Sequence, residues 1–194
     1  MEIYGTNLNT SNTVGTNFSE DQSWKKRPTK GSIMHRRRRP TRHRATGRHN
    51  TSAEAANLAN SQVGIKEDTG NNDGKDVKKY RYGIDNFQPW CSSFLNWVYN
   101  PNHVPGRNIF GLPDKKVPSS QAVLQAAKRN NCFIDARSGQ LPQVGDAIIW
   151  RTDKNPVHGH VGIVTEVRED GSFVTVQGNN HDAVERVEYS SIQD

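Results

Sequence analysis

Between Gly159 and Asn179 the chain reads GHVGIVTEVREDGSFVTVQGN, two runs rich in β-branched residues on either side of Arg-Glu-Asp-Gly. Alternation of this kind has the two-residue period of a strand. Asp170-Gly171 supplies the two central residues of a tight hairpin turn. The segment is therefore expected to fold as two antiparallel strands. If Glu169 lies opposite Ser172, Gly162 falls opposite Asn179 and Val164 opposite Gln177. One face then carries His160, Gly162, Val164, Gln177 and Asn179. The other carries Val161, Ile163, Val167, Val174 and Val176, an apolar surface. His160 and Asn179 become diagonal neighbours beside a glycine that leaves space.

The pattern around this hairpin sets the fold class. DAIIW, after the turn LPQVG, and VERVEY extend the strand character on both sides. Upstream the spacing is helical. TSAEAANLANSQVGI offers a Thr/Ser cap and then Ala55, Leu58, Ala59 and Val63, with Gly64 as a stop. KEDTGNNDGKDVKKY is a polar turn running into a short helix that ends near Tyr80. A helix containing Cys91 presents Phe94, Leu95 and Val98 as one stripe with Trp97 beside it, and Asn100-Pro101 ends it. In SSQAVLQAAKRNN, Ser120 is the expected cap, followed by Ala122, Leu124, Ala126 and Ala127. Residues 101–118, with prolines at 101, 105, 113 and 118, read as an irregular loop. Helices first and antiparallel strands afterwards predict an α+β domain.

Charge divides the chain in two. Residues 1–50 hold 11 Lys/Arg against 3 Asp/Glu, whereas the remainder holds 15 against 17. The overall +6 thus belongs to the first fifty residues, and the rest is nearly neutral. That excludes reading the folded part as a basic nucleic-acid-binding domain. The first fifty residues show almost no apolar periodicity, so they are expected to be a disordered basic tail, with residues 51–194 as the folded domain. Residues 25–49, which include HRRRRPTRHRATGRH, have the charge to hold an anionic polymer: nucleic acid, anionic lipid or an acidic wall polymer. A solvated tail with no dedicated partner is the alternative. No apolar run reaches the roughly 18 residues of a membrane span. No Sec-type apolar core follows the polar start, and no hydrophobic stretch follows the arginine run as a twin-arginine signal requires. Localisation is left open, and the chain is expected to be a monomer.

Chemistry enters with FQPWCSSFLNWVYN, residues 87–100. Cys91 stands at the head of a helix, where unpaired N–H groups and the helix dipole favour a thiolate, and Pro89 suits a helix start. Taken alone it could equally be a core residue or half of a bridge to Cys132. The hairpin supplies a partner. His160 could take the thiol proton and return it to a leaving amine. Asn179 could orient the imidazole, and helix-start amides could receive an oxyanion. Acyl transfer at an amide carbonyl, with water as final acceptor, is the reaction implied.

PWCSSFLNWV, PQVGDAIIW, GHVGIVTEV and VQGNN, in this order and spacing, together resemble a CHAP domain (cysteine, histidine-dependent amidohydrolase/peptidase). ANSQVGIKEDTGNNDGKDVKKY resembles the leader of CHAP-like wall hydrolases, so the likeness covers about residues 52–189. The resemblance implies a papain-like α+β fold, with N-terminal helices packed on an antiparallel sheet. It also implies cleavage of an amide in peptidoglycan, by an N-acetylmuramoyl-L-alanine amidase or a stem or cross-bridge endopeptidase, with the stem peptide as partner. Carried over by position, the nucleophile is Cys91, the base His160 and the third member Asn179. Gln177 stands where many members have Glu. Gln177, Trp90 and His158 are secondary candidates, Trp90 more as packing than as cleft lining and His158 as a rim residue. No cofactor and no metal are implied, since Asp85 is the only acidic residue close before Cys91. Three alternatives accompany this reading: an inactive wall-binding module, a tail-based binder of nucleic acid or acidic polymer, and transfer of the acyl group to an amine.

Overall fold

The computed structural model describes residues 50–84, 87–100, 119–151 and 159–192, and the backbone of residues 2–6. The expectations for Asp85, for the loop 101–118, for His158 and for the basic segment 25–49 lie outside the described residues.

Thr51 opens the first helix, α1 (Ser52–Asn60), through a reciprocal cap. The Glu54 N–H donates to Thr51 Oγ1 at 3.3 Å and the Thr51 N–H to Glu54 Oε2 at 2.7 Å, which satisfies two helix-start donors at once. Ser61 closes the helix, so Val63 falls beyond it and is 44% exposed instead of joining the core. A one-turn helix α2 (Lys75–Lys78) runs into a 3₁₀ turn at Lys79–Arg81. Helix α3 (Cys91–Tyr99) is buried at every position. Helix α4 (Ser120–Arg129) is capped by Ser119, one residue earlier than expected, whose Oγ accepts from the Ala122 N–H at 3.2 Å.

Six strands form one sheet: β1 (Glu2–Thr6), β2 (Phe133–Asp135), β3 (Ala147–Arg151), β4 (Gly159–Val167), β5 (Phe173–Asn180) and β6 (Ala183–Tyr189). Their order across the sheet is β2-β1-β3-β4-β5-β6, with every pairing antiparallel. Helices together with an antiparallel sheet make the fold α+β, as expected. Glu2–Thr6 correct the reading of residues 1–50 as one disordered tail. They pair with β3 on one side and β2 on the other. Five residues are too few to show a period, and what holds them is main-chain pairing to strands more than a hundred residues away.

The two faces of the sheet carry different cores. Ala147 and Ile149 of β3, Val161 and Ile163 of β4 and Val176 of β5 pack against Ala55, Ala59, Phe94, Leu95, Val98, Val123 and Leu124 of the helices. Ile148, Trp150, Val164 and Phe173 form a smaller cluster with Ala136 and Ile192. Each large apolar side chain taken fully out of water contributes roughly 1.5–3 kcal/mol, so the helix-side face is the main source of stability. Gly178 lets α3 come close: a Cβ there would lie 2.5 Å from Phe94 Cβ and 2.9 Å from Trp90 Cζ3.

The β4–β5 register departs from the expected one. Ile163 faces Val176 and Val164 faces Thr175, while beyond a bulge Glu166 faces Val174. Between the two pairs β4 advances two residues and β5 one, so β4 carries an extra residue. The slide by two at Val164 preserves which face each side chain uses. It brings Gly162 over Gln177 in place of Asn179: a Cβ on Gly162 would lie 2.7 Å from Gln177 Cγ.

Candidate active site

Cys91 is the first residue of α3, and Trp90 at the cap position contributes no side-chain cap. The cap residue thus places no side-chain oxygen over the helix-start amides, an arrangement that suits an incoming negative charge. Cys91 is 8% exposed. Its thiol lies 3.9 Å from Ser92 Oγ and within hydrogen-bonding range of the Val161 main chain. Burial pushes the thiol above its ordinary value, and the hydrogen bonds from Ser92 and Val161 oppose that only in part. Cys91 and Cys132 are both free, so the bridge between them is not formed. Cys132 is half-buried, its Sγ 3.5 Å from the Ala127 carbonyl.

His160 sits near the start of β4, directly before Val161. Its Cα partner on β3 is Trp150, and the two rings lie 5.8 Å apart at 37°. Helix α3 packs on the opposite face of the sheet from the one that carries His160. Val161 and Ile163 point to the helices, and the imidazole goes with Trp150, whose cluster is the smaller one. The thiol therefore reaches β4 at the main chain of the residue after His160. Burial pushes the imidazole below its ordinary value, and a hydrogen bond with the Gln177 side chain pulls it partly back. His160 Nε2 is buried and has no hydrogen-bond partner among the described residues.

Gln177 is 2% exposed, and its amide nitrogen donates to Thr175 Oγ1 at 2.8 Å and to Tyr189 OH at 2.9 Å. Both amide protons are thus committed, which leaves the carbonyl oxygen for an imidazole N–H. That agrees with the upward pull on His160.

Asn179 has left the position that the simple hairpin assigns it. It has φ 58°, inside an irregularity of the β5–β6 pairing between Gln177 and Asn180. The left-handed backbone turns its side chain to Asn72, 3.1 Å away. With the amide oriented to satisfy both of its ends, its nitrogen donates to Glu67 Oε1 and its oxygen accepts from the Trp90 N–H, each at 3.2 Å. The imidazole contact expected of Asn179 is made by Gln177. Trp90 is fully buried, stacked on Tyr80 at 5.3 Å and 15°, and serves as packing.

A family model described as the CHAP domain matches residues 83–179, half of the chain. The chain belongs to the CHAP domain family. CHAP domains are associated with peptidoglycan hydrolysis, which makes peptidoglycan the substrate class. No curated protein and no solved structure matches the chain. The CHAP match runs from just before α3 to Asn179, so it includes Cys91, His160 and Gln177 and leaves out the Glu67 loop. Among the described residues no group of three or more His, Cys, Asp or Glu side chains could hold a metal ion, and no helix is long and apolar enough to cross a membrane.

Sequence reasoning left Glu67 and Asn72 without a role. Both border the site: Glu67 is 8% exposed and accepts from the Trp90 indole N–H at 2.7 Å and the Asn72 N–H at 2.6 Å. One acid among several in a polar turn carries no signal of this. Asn72 is only five residues away, but Trp90 and Asn179 meet Glu67 only through the fold.

Proposed function

We propose that residues 51–194 are a cysteine amidohydrolase that opens an amide bond of peptidoglycan, with Cys91 as nucleophile and His160 as general base. One observation carries this reading. A thiol at the first turn of a buried helix touches the main chain next to an imidazole whose Nε2 is free of partners among the described residues. Both groups rest neutral, since burial raises one and lowers the other. Proton transfer therefore accompanies attack. His160 takes the thiol proton as Sγ bonds to the amide carbonyl carbon, and the oxyanion meets the amides at the start of α3. The C–N bond then breaks, and His160 delivers its proton to the leaving amine. Water, deprotonated by His160, cleaves the thioester and restores the thiol. Gln177, accepting from the other ring nitrogen, holds the tautomer that leaves the lone pair on Nε2. Asn179 acts from the opposite side, holding the main chain of Trp90 just before the nucleophile.

Purified sacculi test the assignment. Wild-type protein should reduce their turbidity, and Cys91→Ala, folded by circular dichroism, should not. Lysis by the Ala variant would exclude a thiol mechanism. Sedimentation of the wild type with sacculi, without release of new amines, would instead assign a wall-binding module. Mass spectrometry of the muropeptides separates the two hydrolases: an amidase frees the N-terminal alanine of the stem, whereas an endopeptidase divides the stem or cross-bridge.

A further inference from the structure

Glu67 lies outside the family match and outside the mechanism above, yet three segments converge on its carboxylate. Oε1 accepts from the indole N–H of Trp90 at 2.7 Å and Oε2 from the main-chain N–H of Asn72 at 2.6 Å. The Asn179 amide nitrogen reaches Oε1 at 3.2 Å. The Glu67 main chain is itself fixed, its N–H donating to the Asp182 carbonyl at 2.8 Å. Behind the loop, Arg81, 1% exposed, donates to the Asn72 carbonyl at 2.8 Å and the Gln88 carbonyl at 3.2 Å. One side chain thus ties together the loop after α1, the residue before the nucleophile and the end of the strand that follows Gln177.

We infer that Glu67 is a positioning residue for the reaction: it sets the place of Trp90, and through one peptide unit the place of the Cys91 amide and thiol. This rests on the amidohydrolase reading of Cys91. Trp90 cannot take up slack elsewhere, because its ring is fully buried, stacked on Tyr80 and set edge-on to Phe94. A carboxylate suits the role because it is acceptor-only and faces N–H donors from several directions. Glutamine fits the same space but turns an NH₂ toward one of those donors, so at least one hydrogen bond is lost and another N–H is opposed. A misplacement of about 1 Å at a reacting group can cost on the order of 10²-fold in rate.

The test uses the full chain carrying Glu67→Gln or Glu67→Ala, with Ile148→Val as a control that loosens the other face of the sheet. Three quantities are read: kcat and KM on soluble muropeptides, the iodoacetamide alkylation rates of Cys91 and Cys132 by peptide mass, and the melting temperature. For Glu67→Gln, kcat should fall by about 10-fold or more with KM within about twofold. The alkylation of Cys91 should quicken at least threefold as the buried thiol becomes accessible, with Cys132 unchanged. Ile148→Val should lower the melting temperature without altering either thiol. Equal changes at both thiols would mean that Glu67 only braces the fold, and no change at Cys91 would remove its role. If Glu67→Ala does not fold, Glu67→Gln decides. If the wild type hydrolyses nothing, the function proposed above fails while the thiol rates still judge Glu67.

Discussion

Two side chains pushed in opposite directions by the same burial carry the proposed chemistry at the scale of single residues. The neutral forms of Cys91 and His160 are both favoured. His160 must be neutral to act as base, and its folded value lies below 6.5. The acid limb of kcat/KM should therefore have its midpoint below 6.5; a midpoint above it would mean that the imidazole is not desolvated. Alkylation of Cys91 should still be rising with pH at pH 9. Asp146 gives a separate test. It is 4% exposed, and burial raises it to about 6, although the Gln143 N–H donates to it. Its folded value lies above its unfolded one. The resulting contribution to stability is present below about pH 4 and is lost as pH rises through about 6. Asp146→Asn keeps an acceptor for Gln143 and carries no charge. Its stability relative to wild type should improve between pH 4 and pH 7 by on the order of 2 kcal/mol, read by urea unfolding. A pH-independent difference would contradict the shift. Cys91 and His160 could be picked out from the sequence because their surroundings, a helix start and a strand start, are local patterns. Glu67 could not, because its partners Trp90 and Asn179 are distant in the chain.

Elements decide which of two candidates touches the imidazole. Each hairpin arm was recognisable from its period, but the bulge between Val164 and Glu166 and the left-handed Asn179 were not. Neither leaves a mark in an alternation of apolar and polar residues. Together they give Gly162 and His160 to Gln177 and send Asn179 toward the helix. Two glycine substitutions separate the consequences. Gly178→Ala places a methyl 2.5 Å from Phe94 Cβ on a rigid helix. It should cost about 1–3 kcal/mol in thermal or urea unfolding. Gly162→Ala meets the Gln177 side chain most closely, at 2.7 Å from Cγ, with the Val176 carbonyl oxygen at 3.3 Å and Trp150 Cη2 at 3.4 Å. It should cost less stability but disturb the Gln177–His160 contact, moving the acid limb of activity to lower pH because an interaction favouring the imidazolium is lost. An unmoved limb would argue that Gln177 does not govern the ring.

At the largest scale the sheet has an interior strand whose partners lie far along the chain. β1 lies between β2 and β3 and pairs with both. Removing residues 1–6 should expose the facing edges of β2 and β3 and lower the melting temperature. Hydrogen exchange should locate the loss at Ala147–Arg151; unchanged protection there would show that β1 adds nothing to β3. The α+β class and most helices were readable because propensity and period agree locally. β1 was not, because its stabilisation is entirely non-local. A strand gripped along both margins, yet tethered through a long polar stretch, is a natural insert for a two-piece protein. A synthetic peptide bearing Glu-Ile-Tyr-Gly-Thr, mixed with a truncated partner lacking it, would restore the sheet by reassociation and place assembly under the control of added peptide.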